Sequence, residues 1–234
     1  MISEFPVVGF RKLSITDYPD KLCVVVTAPG CNFRCPYCPH EDLIHHYIPM
    51  EKTRLGEIYE TLYPRIGFLD GVCITGGEPT LHRQLPVFLE SIKETRSLVK
   101  IDTNGSRPKM LRFLLDRRLV DYITMKIVAR IEDYPSIAGP RIEPEMILNT
   151  IQMIRKSRVP HEFKVTAVPT LNDEKTLLDI AHVLAGSRRF VIKQFNPETC
   201  LDPSYKEIQP YSLKELKQLK EMVAPYFAET VIEL

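Results

Sequence analysis

Hydrophobic and polar positions follow two periods along this chain. Short runs of β-branched and aliphatic residues recur, and longer stretches between them repeat apolar residues about every 3.6 positions, as one face of a helix does. The short runs predict six strands: Leu22–Thr27, Val72–Thr75, Leu98–Asp102, Asp121–Ile127, Glu162–Val168 and Arg189–Phe195. The longer stretches predict helices at 55–62, 147–154 and 177–184, and a capping box of Ser212 and Glu215 predicts a last helix near 213–223.

This alternation predicts an α/β fold, because a helix that connects two strands of one sheet makes those strands parallel. Six such units favour a partial (β/α)6 TIM-like barrel or an open parallel sheet, and in both architectures ligands bind where the strands end. The turn signal Asp17-Tyr18-Pro19-Asp20 predicts a short N-terminal hairpin extension. We expect a single domain over 1–234, with 1–20 as a cover, 21–200 as the barrel core and 201–234 as a C-terminal helix and tail.

Charge and hydropathy exclude two classes of partner. The chain has 31 Lys and Arg against 30 Asp and Glu, a net charge of +1, so no global field attracts nucleic acid or anionic lipid. No apolar stretch has the length of a membrane span, and the first ten residues lack the pattern of a secretion signal. We therefore expect a cytoplasmic location, no membrane attachment and no direct binding of nucleic acid.

Three of the six cysteines lie within eight residues, directly after the first predicted strand. Cys31, Cys35 and Cys38 form a C-x3-C-x2-C spacing on a loop, which in a reducing compartment indicates a metal site. Three thiolates are one fewer than the four that ligate a [4Fe-4S] cluster, so one iron would stay open to another ligand. Zinc is the alternative, because these cysteines and His40 could form a tetrahedral Cys3His site.

The other three cysteines do not suggest chemistry. Cys23 and Cys73 lie in the apolar runs LCVVVT and GVCIT, which favours buried, inert thiols. Cys200 lies in a polar segment, and its sequence context assigns it no role.

The cysteine spacing, followed after the second strand by Gly76-Gly77-Glu78-Pro79, resembles the radical S-adenosylmethionine (SAM) superfamily. The resemblance implies a [4Fe-4S] cluster on the three cysteines and reductive cleavage of SAM to a 5′-deoxyadenosyl radical. It also implies that backbone oxygens of the glycine segment and the Glu78 carboxylate accept hydrogen bonds from the SAM ammonium group. The residues expected to contact SAM are Tyr37, Gly76, Gly77, Glu78, Pro79, Asp102, Thr103, Asn104, Lys126 and Thr166.

Three of these expectations concern particular parts of SAM. Tyr37 is expected near the adenine, and Asn104 and Thr166 near the ribose. Packing within the loop is the alternative for Tyr37, and a hydrogen bond to a loop backbone is the alternative for Thr166.

Further segments resemble one branch of the superfamily, the activating proteins of anaerobic ribonucleoside-triphosphate reductase. They are Gly9-Phe10, Leu13-Ser14, Asp17-Tyr18-Pro19, 30–38, 70–80, Asp102-Thr103-Asn104-Gly105, Val120-Asp121-Tyr122, Gln194-Phe195 and Leu201-Asp202-Pro203. The resemblance implies that the radical removes a hydrogen atom from a glycine of a partner glycyl-radical enzyme. It also implies an electron donor such as flavodoxin or ferredoxin.

The chain departs from this branch at the end of the fourth predicted strand. It has Met125-Lys126-Ile127-Val128 where the family has a sequence close to Met-Asp-Ile-Lys. In related activases the acid helps to hold a monovalent cation, so we hypothesise that the Lys126 ammonium replaces that cation and pairs with Asp102 and the SAM carboxylate. The alternative is a solvated lysine at a strand end. Val128 in place of the family lysine suggests a different partner or substrate class, and His40 has no assigned role.

Two other functions remain open at this stage. One is a small-molecule radical SAM enzyme, for example one that resembles the deazapurine-forming synthases. The other is a metal-binding scaffold that has lost turnover. No residue stands out as a catalytic acid or base, which is consistent with chemistry that begins with an electron.

Overall fold

The computed structural model describes residues 5–45 and 52–234. Its strands are β1 (Gly9–Ser14), β2 (Cys23–Ala28), β3 (Gly71–Gly76), β4 (Leu98–Thr103), β5 (Tyr122–Ile127), β6 (His161–Ala167), β7 (Arg189–Gln194) and β8 (Glu229–Glu233). Its helices are α1 (Glu41–His45), α2 (Lys52–Leu62), α3 (Leu85–Glu94), α4 (Pro108–Asp116), α5 (Tyr134–Ile137), α6 (Pro144–Lys156), α7 (Glu174–Leu184) and α8 (Leu213–Val223). The predicted α/β fold is confirmed.

The strands form one sheet in chain order, from β1 to β8. β2 pairs in parallel with β3, as do β3 with β4, β6 with β7 and β7 with β8, whereas β1 is antiparallel to β2. The six predicted strands are β2 to β7, and every observed end lies within one residue of its prediction. An N-terminal hairpin is present as predicted, but the first predicted strand, β2, is one of its two strands and does not follow it.

The C-terminal segment differs from the sequence prediction. We assigned 201–234 to a helix and a tail, but its last residues form a further strand, β8. The sequence Glu-Thr-Val-Ile-Glu has no apolar run, so it lacks the signal that revealed the other strands. Its two glutamates are instead paired with basic side chains, since Arg189 lies 2.6 Å from Glu229 and Lys193 lies 3.0 Å from Glu233.

The described residues divide into two compact units. The first comprises the described parts of 1–32, 42–103 and 107–123, and it contains β1 to β4. Tyr18, Cys23, Val25 and Cys73 form a buried cluster within it. Burial raises the pKa of Cys23 to about 11, and the pKa of the Cys73 thiol is also well above its usual value because of burial. Both therefore stay protonated, as expected of inert thiols.

The second unit comprises 33–41, 104–106 and 124–234, and it contains β6 to β8 and the end of β5. Alternate residues of a strand point to opposite faces of the sheet. One face is apolar and fully buried, with Phe163 and Val165 on β6 and Phe190 and Ile192 on β7. The opposite face carries charged residues. None of the helices in 5–45 and 52–234 combines the length and apolar character needed to cross a membrane.

Candidate cofactor site

In the first unit, the glycine-rich segment that ends β3 lies directly against the start of the cysteine loop. Gly77 N donates to Ala28 O at 3.0 Å, and Glu78 N donates to Gly30 O at 2.7 Å. A Cβ on Gly77 would lie 2.0 Å from Gly30 O, and one on Gly76 would lie 2.4 Å from Ala28 O. Gly76 also has a φ of +112°, which disfavours any other residue. The two glycines therefore let these backbones meet.

The Glu78 carboxylate is fully buried and lies where β3 and β4 end. Its Oε1 accepts a hydrogen bond from Thr80 N at 3.1 Å, which caps the short 3-10 helix Pro79–Leu81, and a short one from the Thr80 hydroxyl. The Thr103 hydroxyl donates to the same oxygen at 2.8 Å. Glu78 thus joins the glycine segment to the end of β4. Contacts of Glu78 and Thr103 with SAM stay a prediction.

Asp102 forms an ion pair with a lysine of its own strand, β4. Lys100 Nζ pairs with Asp102 Oδ1, and the Thr75 hydroxyl donates to Oδ2 at 2.8 Å. The Lys100 side chain is only 3% exposed, so its charge needs such a partner. The sequence analysis did not identify Lys100, and the pairing of Lys126 with Asp102 stays a prediction. The signal was present, because residues two apart on a strand share a face.

Cys31 lies in the first unit, on a backbone that its neighbours hold in place. Gly30 N donates to Leu43 O at 2.7 Å, which ties the loop to α1. The imidazole Nε2 of His82 lies 2.7 Å from Pro29 O, which ties the loop to the segment that follows the glycines. Cys31 is partly exposed and carries a thiol.

Cys35 and Cys38 lie in the second unit and share one turn of backbone. Cys38 N donates to Cys35 O at 3.0 Å. Cys35 is buried, whereas Cys38 is partly exposed. Asp202 N donates to Pro36 O at 2.9 Å, so the Leu201-Asp202-Pro203 segment supports this turn from outside.

Two tyrosines hold the same turn to the residue that follows β5. The Tyr37 hydroxyl donates to Val128 O at 3.2 Å, and Val128 N donates to the Tyr134 hydroxyl at 3.3 Å. Burial raises the pKa of both phenols, so they stay protonated. Position 128 therefore serves this anchor through its backbone, whichever side chain it carries. Tyr134 was missed because its segment has no periodic pattern. A Tyr37 contact with adenine stays a prediction.

His40 follows the cysteine turn and lies close to two lysines. Desolvation, together with the ammonium groups of Lys126 and Lys193, lowers the pKa of His40 to about 4. At neutral pH its imidazole is therefore uncharged. Lys126 has no ion pair with a carboxylate in the part of the chain that the structure describes. Its pairing with the SAM carboxylate stays a prediction.

The two residues expected near the ribose take part in local structure. Asn104 is buried, and its Oδ1 accepts from Ser106 N at 2.9 Å, which shapes the loop after β4. Thr166 lies near the end of β6, where its carbonyl accepts from Asn172 Nδ2 at 2.8 Å. Its half-buried side chain lies on the charged face of the sheet. Their proximity to a ribose stays a prediction.

The donor set suits an iron–sulfur cluster with one open iron. Each of the three motif cysteines carries a thiol. Three thiolates on one short loop are the number that leaves one iron of a [4Fe-4S] cluster available to a further ligand. Among the described residues, no three His, Cys, Asp or Glu side chains are already gathered at metal-binding distances. Ligation of the cluster by these cysteines stays a prediction.

Comparison with known proteins identifies the class. The sequence profile of the radical SAM superfamily matches residues 25–182, which is more than half of the chain. The chain belongs to the radical SAM superfamily. It is therefore a radical SAM enzyme, and its family uses a [4Fe-4S] cluster and S-adenosylmethionine.

Three known proteins illustrate what the chain is similar to within this superfamily. A candidate glycyl-radical enzyme activating enzyme of Methanocaldococcus jannaschii is 32% identical over 231 residues, 96% of this chain and 94% of the relative. The 7-carboxy-7-deazaguanine synthase of Aquifex aeolicus is 32% identical over 83 residues, 36% of either chain. SuiB of Streptococcus suis, solved with S-adenosylmethionine bound, has a TM-score of 0.67 at 14% identity, covering 90% of this chain and 52% of SuiB. This chain spans about half of SuiB, and that likeness concerns the fold alone.

Proposed function

We propose that this enzyme generates a glycyl radical on a partner enzyme such as anaerobic ribonucleotide reductase. One observation carries the proposal: the similarity to the Methanocaldococcus jannaschii relative extends over 96% of this chain. When bound, the cluster and SAM supply the radical chemistry of the superfamily. The reaction then removes a hydrogen atom from a glycine Cα of the partner. A flavodoxin or ferredoxin is the proposed source of electrons.

The chain's own residues hold and orient the cofactors in this proposal. Cys31, Cys35 and Cys38 provide thiolates to the cluster. The glycine segment offers backbone oxygens to the SAM ammonium group, and Glu78 keeps that segment at a fixed distance from β4 through Thr103. No side chain has to act as an acid or a base in this scheme, because the bond that breaks in the partner loses a hydrogen atom and not a proton.

A second candidate is a small-molecule radical SAM enzyme. Two observations favour it: the similarity to 7-carboxy-7-deazaguanine synthase, which covers only 36% of this chain, and Val128 in place of the lysine of the activating proteins. The glycyl-radical proposal is preferred because its similarity covers nearly the whole chain.

The test is anaerobic reconstitution with iron and sulfide, followed by reduction with dithionite and addition of SAM. We expect about four irons per chain and release of 5′-deoxyadenosine from the wild type. Cys35→Ala should lose both, whereas Cys200→Ala, which removes a buried thiol outside the motif, should retain both. Bound zinc, or equal iron in both variants, would refute the cluster assignment.

The partner is tested separately. Reduced enzyme and SAM are mixed with anaerobic ribonucleotide reductase from the same organism, and the mixture is frozen for EPR. A glycyl-radical doublet on the reductase supports the proposal, and selective loss of the doublet when the partner's glycine is changed to alanine identifies the target. Release of 5′-deoxyadenosine without a protein radical would contradict this partner.

A further inference from the structure

One face of the sheet in the second unit is lined by charged side chains, which we call the polar face. It is formed by Thr124, Lys126, Glu162, Lys164, Thr166, Arg189, Lys193, Glu229 and Glu233. Side chains two residues apart on a strand share a face. The strand register places Thr166, Lys193 and Glu233 side by side across β6, β7 and β8.

Near the amino ends of the strands, the acidic side chains of the polar face form ion pairs with a basic side chain. The Thr124 hydroxyl donates to Glu162 Oε1 at 2.8 Å, and Arg189 Nε donates to Glu162 Oε2 at 3.1 Å. Arg189 Nη1 also lies 2.6 Å from Glu229 Oε1. Arginine thus bridges two carboxylates. This part of the face is structural, because its charges already have partners.

Towards the carboxyl ends, the balance is different. Lys164 Nζ lies 2.5 Å from Glu233 Oε2, and Lys193 Nζ lies 3.0 Å from Glu233 Oε1. A single carboxylate therefore pairs with two ammonium groups. Lys126 lies on the same face, because it is two residues from Thr124, whose hydroxyl donates to Glu162. We call Lys126, Lys164 and Lys193 the lysine layer. With Glu233 as its acid, the layer carries an excess of two positive charges.

The surroundings make this excess costly. The Lys164 side chain is only 18% exposed, so its charge is partly removed from water, whereas Lys193 is 49% exposed and keeps more of its hydration. Burial alone would raise the pKa of Glu233, yet Lys164 and Lys193 outweigh it and hold that pKa below its usual value. An anion that joined the layer would relieve the repulsion among the lysines.

The lysine layer also lies beside the cysteine turn. Tyr37 of that turn donates to the carbonyl of Val128, and Lys126 lies two residues before Val128 at the end of β5. Lys193 lies at the corresponding end of β7, one residue before that strand ends. An anionic group held by the layer would therefore lie near the place where the chemistry is proposed to occur.

We infer that the lysine layer binds an anionic group of the substrate, a carboxylate or a phosphate. This inference deepens the proposed function, since it concerns the substrate of the same site. A carboxylate would come from an acidic side chain beside the target glycine of a partner protein. A phosphate would come from a small-molecule substrate. The shared chemistry is an anion between ammonium groups of β5, β6 and β7.

Binding to the cluster-free protein tests the inference without any turnover. Isothermal titration calorimetry would use pyrophosphate, the capped peptide Asp-Gly-Asp and its neutral analogue Asn-Gly-Asn. We expect one of the anionic probes to bind, with an affinity that falls as salt rises, and the neutral peptide not to bind. Lys193→Met should weaken that binding roughly tenfold. Lys217→Met, at an exposed position of α8, is the matched control and should leave the affinity as it is.

Glu233→Gln distinguishes ligand binding from a structural role. If the lysines bind an anion, removing the carboxylate that pairs with Lys164 and Lys193 should tighten binding by roughly tenfold. If they serve only to hold β8, the variant lowers the melting temperature and does not tighten binding, which would overturn the inference. Lys126→Met gives a second check, because its loss breaks no ion pair with a described residue. It is measured in the cluster-free protein without SAM, so that the predicted pairing of Lys126 with the SAM carboxylate does not enter the result.

The remaining outcomes distinguish a protein substrate from a phosphorylated small molecule, and they distinguish failure of the anion inference from failure of the proposed function. Lysine-dependent binding of the acidic peptide alone indicates a protein substrate, and that of pyrophosphate alone indicates a phosphorylated small molecule. The inference is overturned if neither probe binds at millimolar concentration. It is also overturned if Lys193→Met lowers the affinity of the reconstituted protein for SAM as much as it lowers the affinity for the probe. Failure of the wild type to cleave SAM would refute the proposed function and leave the anion measurement unaffected.

Discussion

At the scale of single residues, Gly77 shows how one absent carbon allows two loops to meet. The backbone of the cysteine loop passes so close that any Cβ at position 77 would overlap Gly30 O. The overlap is with backbone, which cannot rotate away as a flexible side chain would. The Gly-Gly pair in the sequence suggested a cofactor contact, and the structure adds a packing reason for it.

We predict that Gly77→Ala destabilises the protein by about 1–3 kcal/mol, because the loops must separate to admit the methyl group. Urea denaturation measures the change. Gly56→Ala in α2 is the control, since a Cβ there has no atom within 4 Å and alanine favours a helix, so a gain of about 0.5–1 kcal/mol is expected. Equal effects of both substitutions would refute the packing argument.

Lys100 and Asp102 form a second decisive pair at this scale. Their side chains are 3% and 13% exposed, so removing one member leaves a poorly solvated charge. We predict that Lys100→Met costs about 3–5 kcal/mol. The loss in the double variant with Asp102→Asn should be well below the sum of the two single losses.

Two comparisons make this prediction specific. The exposed pair Arg117 and Glu90 is 58% and 42% exposed, so Arg117→Met should cost less than about 1 kcal/mol. A double-variant cycle of Lys126→Met with Asp102→Asn tests the other partner that the sequence suggested for Asp102. Strong coupling in that cycle, and none with Lys100, would contradict the Lys100 pairing and support Lys126.

At the scale of elements, the turn that bears Cys35 and Cys38 is held by residues distant in sequence. Tyr37 bonds to the residue after β5, and Asp202 bonds to Pro36 from the segment before α8. These contacts give the backbones of Val128 and Asp202 a structural role that needs no ligand. They position the thiols through backbone groups, which tolerate changes of side chain.

We predict that Tyr37→Phe lowers the free energy of unfolding by about 1–3 kcal/mol, because Val128 O loses its buried donor. Tyr63→Phe is the control, since Tyr63 is 51% exposed, and its effect should stay within about 0.5 kcal/mol. Chemical denaturation of both variants gives the comparison. An unchanged Tyr37→Phe would mean that the hydroxyl does not anchor the turn.

At the scale of the whole molecule, the chain passes repeatedly between the two compact units. The second unit contains the short segments 33–41 and 104–106, which interrupt the first unit in sequence. Neither unit is therefore a continuous piece of chain. Unfolding one of them would release segments that belong to the other.

For this reason we predict a single cooperative unfolding transition, as expected of one domain. Far-ultraviolet circular dichroism would report on all helices, and tyrosine absorbance would report on the packed side chains. The two midpoints should coincide. Two separated transitions would show that the units unfold independently and would contradict the single domain expected from the sequence.

The sequence by itself determined the strand–helix alternation, because hydrophobic periodicity is local and survives without neighbours. It located β2 to β7 within one residue and found the capping box of α8, which the structure confirms. It did not find β8, whose acidic ends are compensated by Arg189 and Lys193 from another strand.

The tertiary structure decided which polar groups meet. Only folding shows that Glu78 joins β3 to β4 through Thr103, that Asp102 pairs with Lys100, and that one glutamate serves two lysines on the polar face. Pairing of charges depends on the distance between the groups and on the exclusion of water, and the sequence alone specifies neither of these. The motif residues could be recognised in the sequence, but their partners could not.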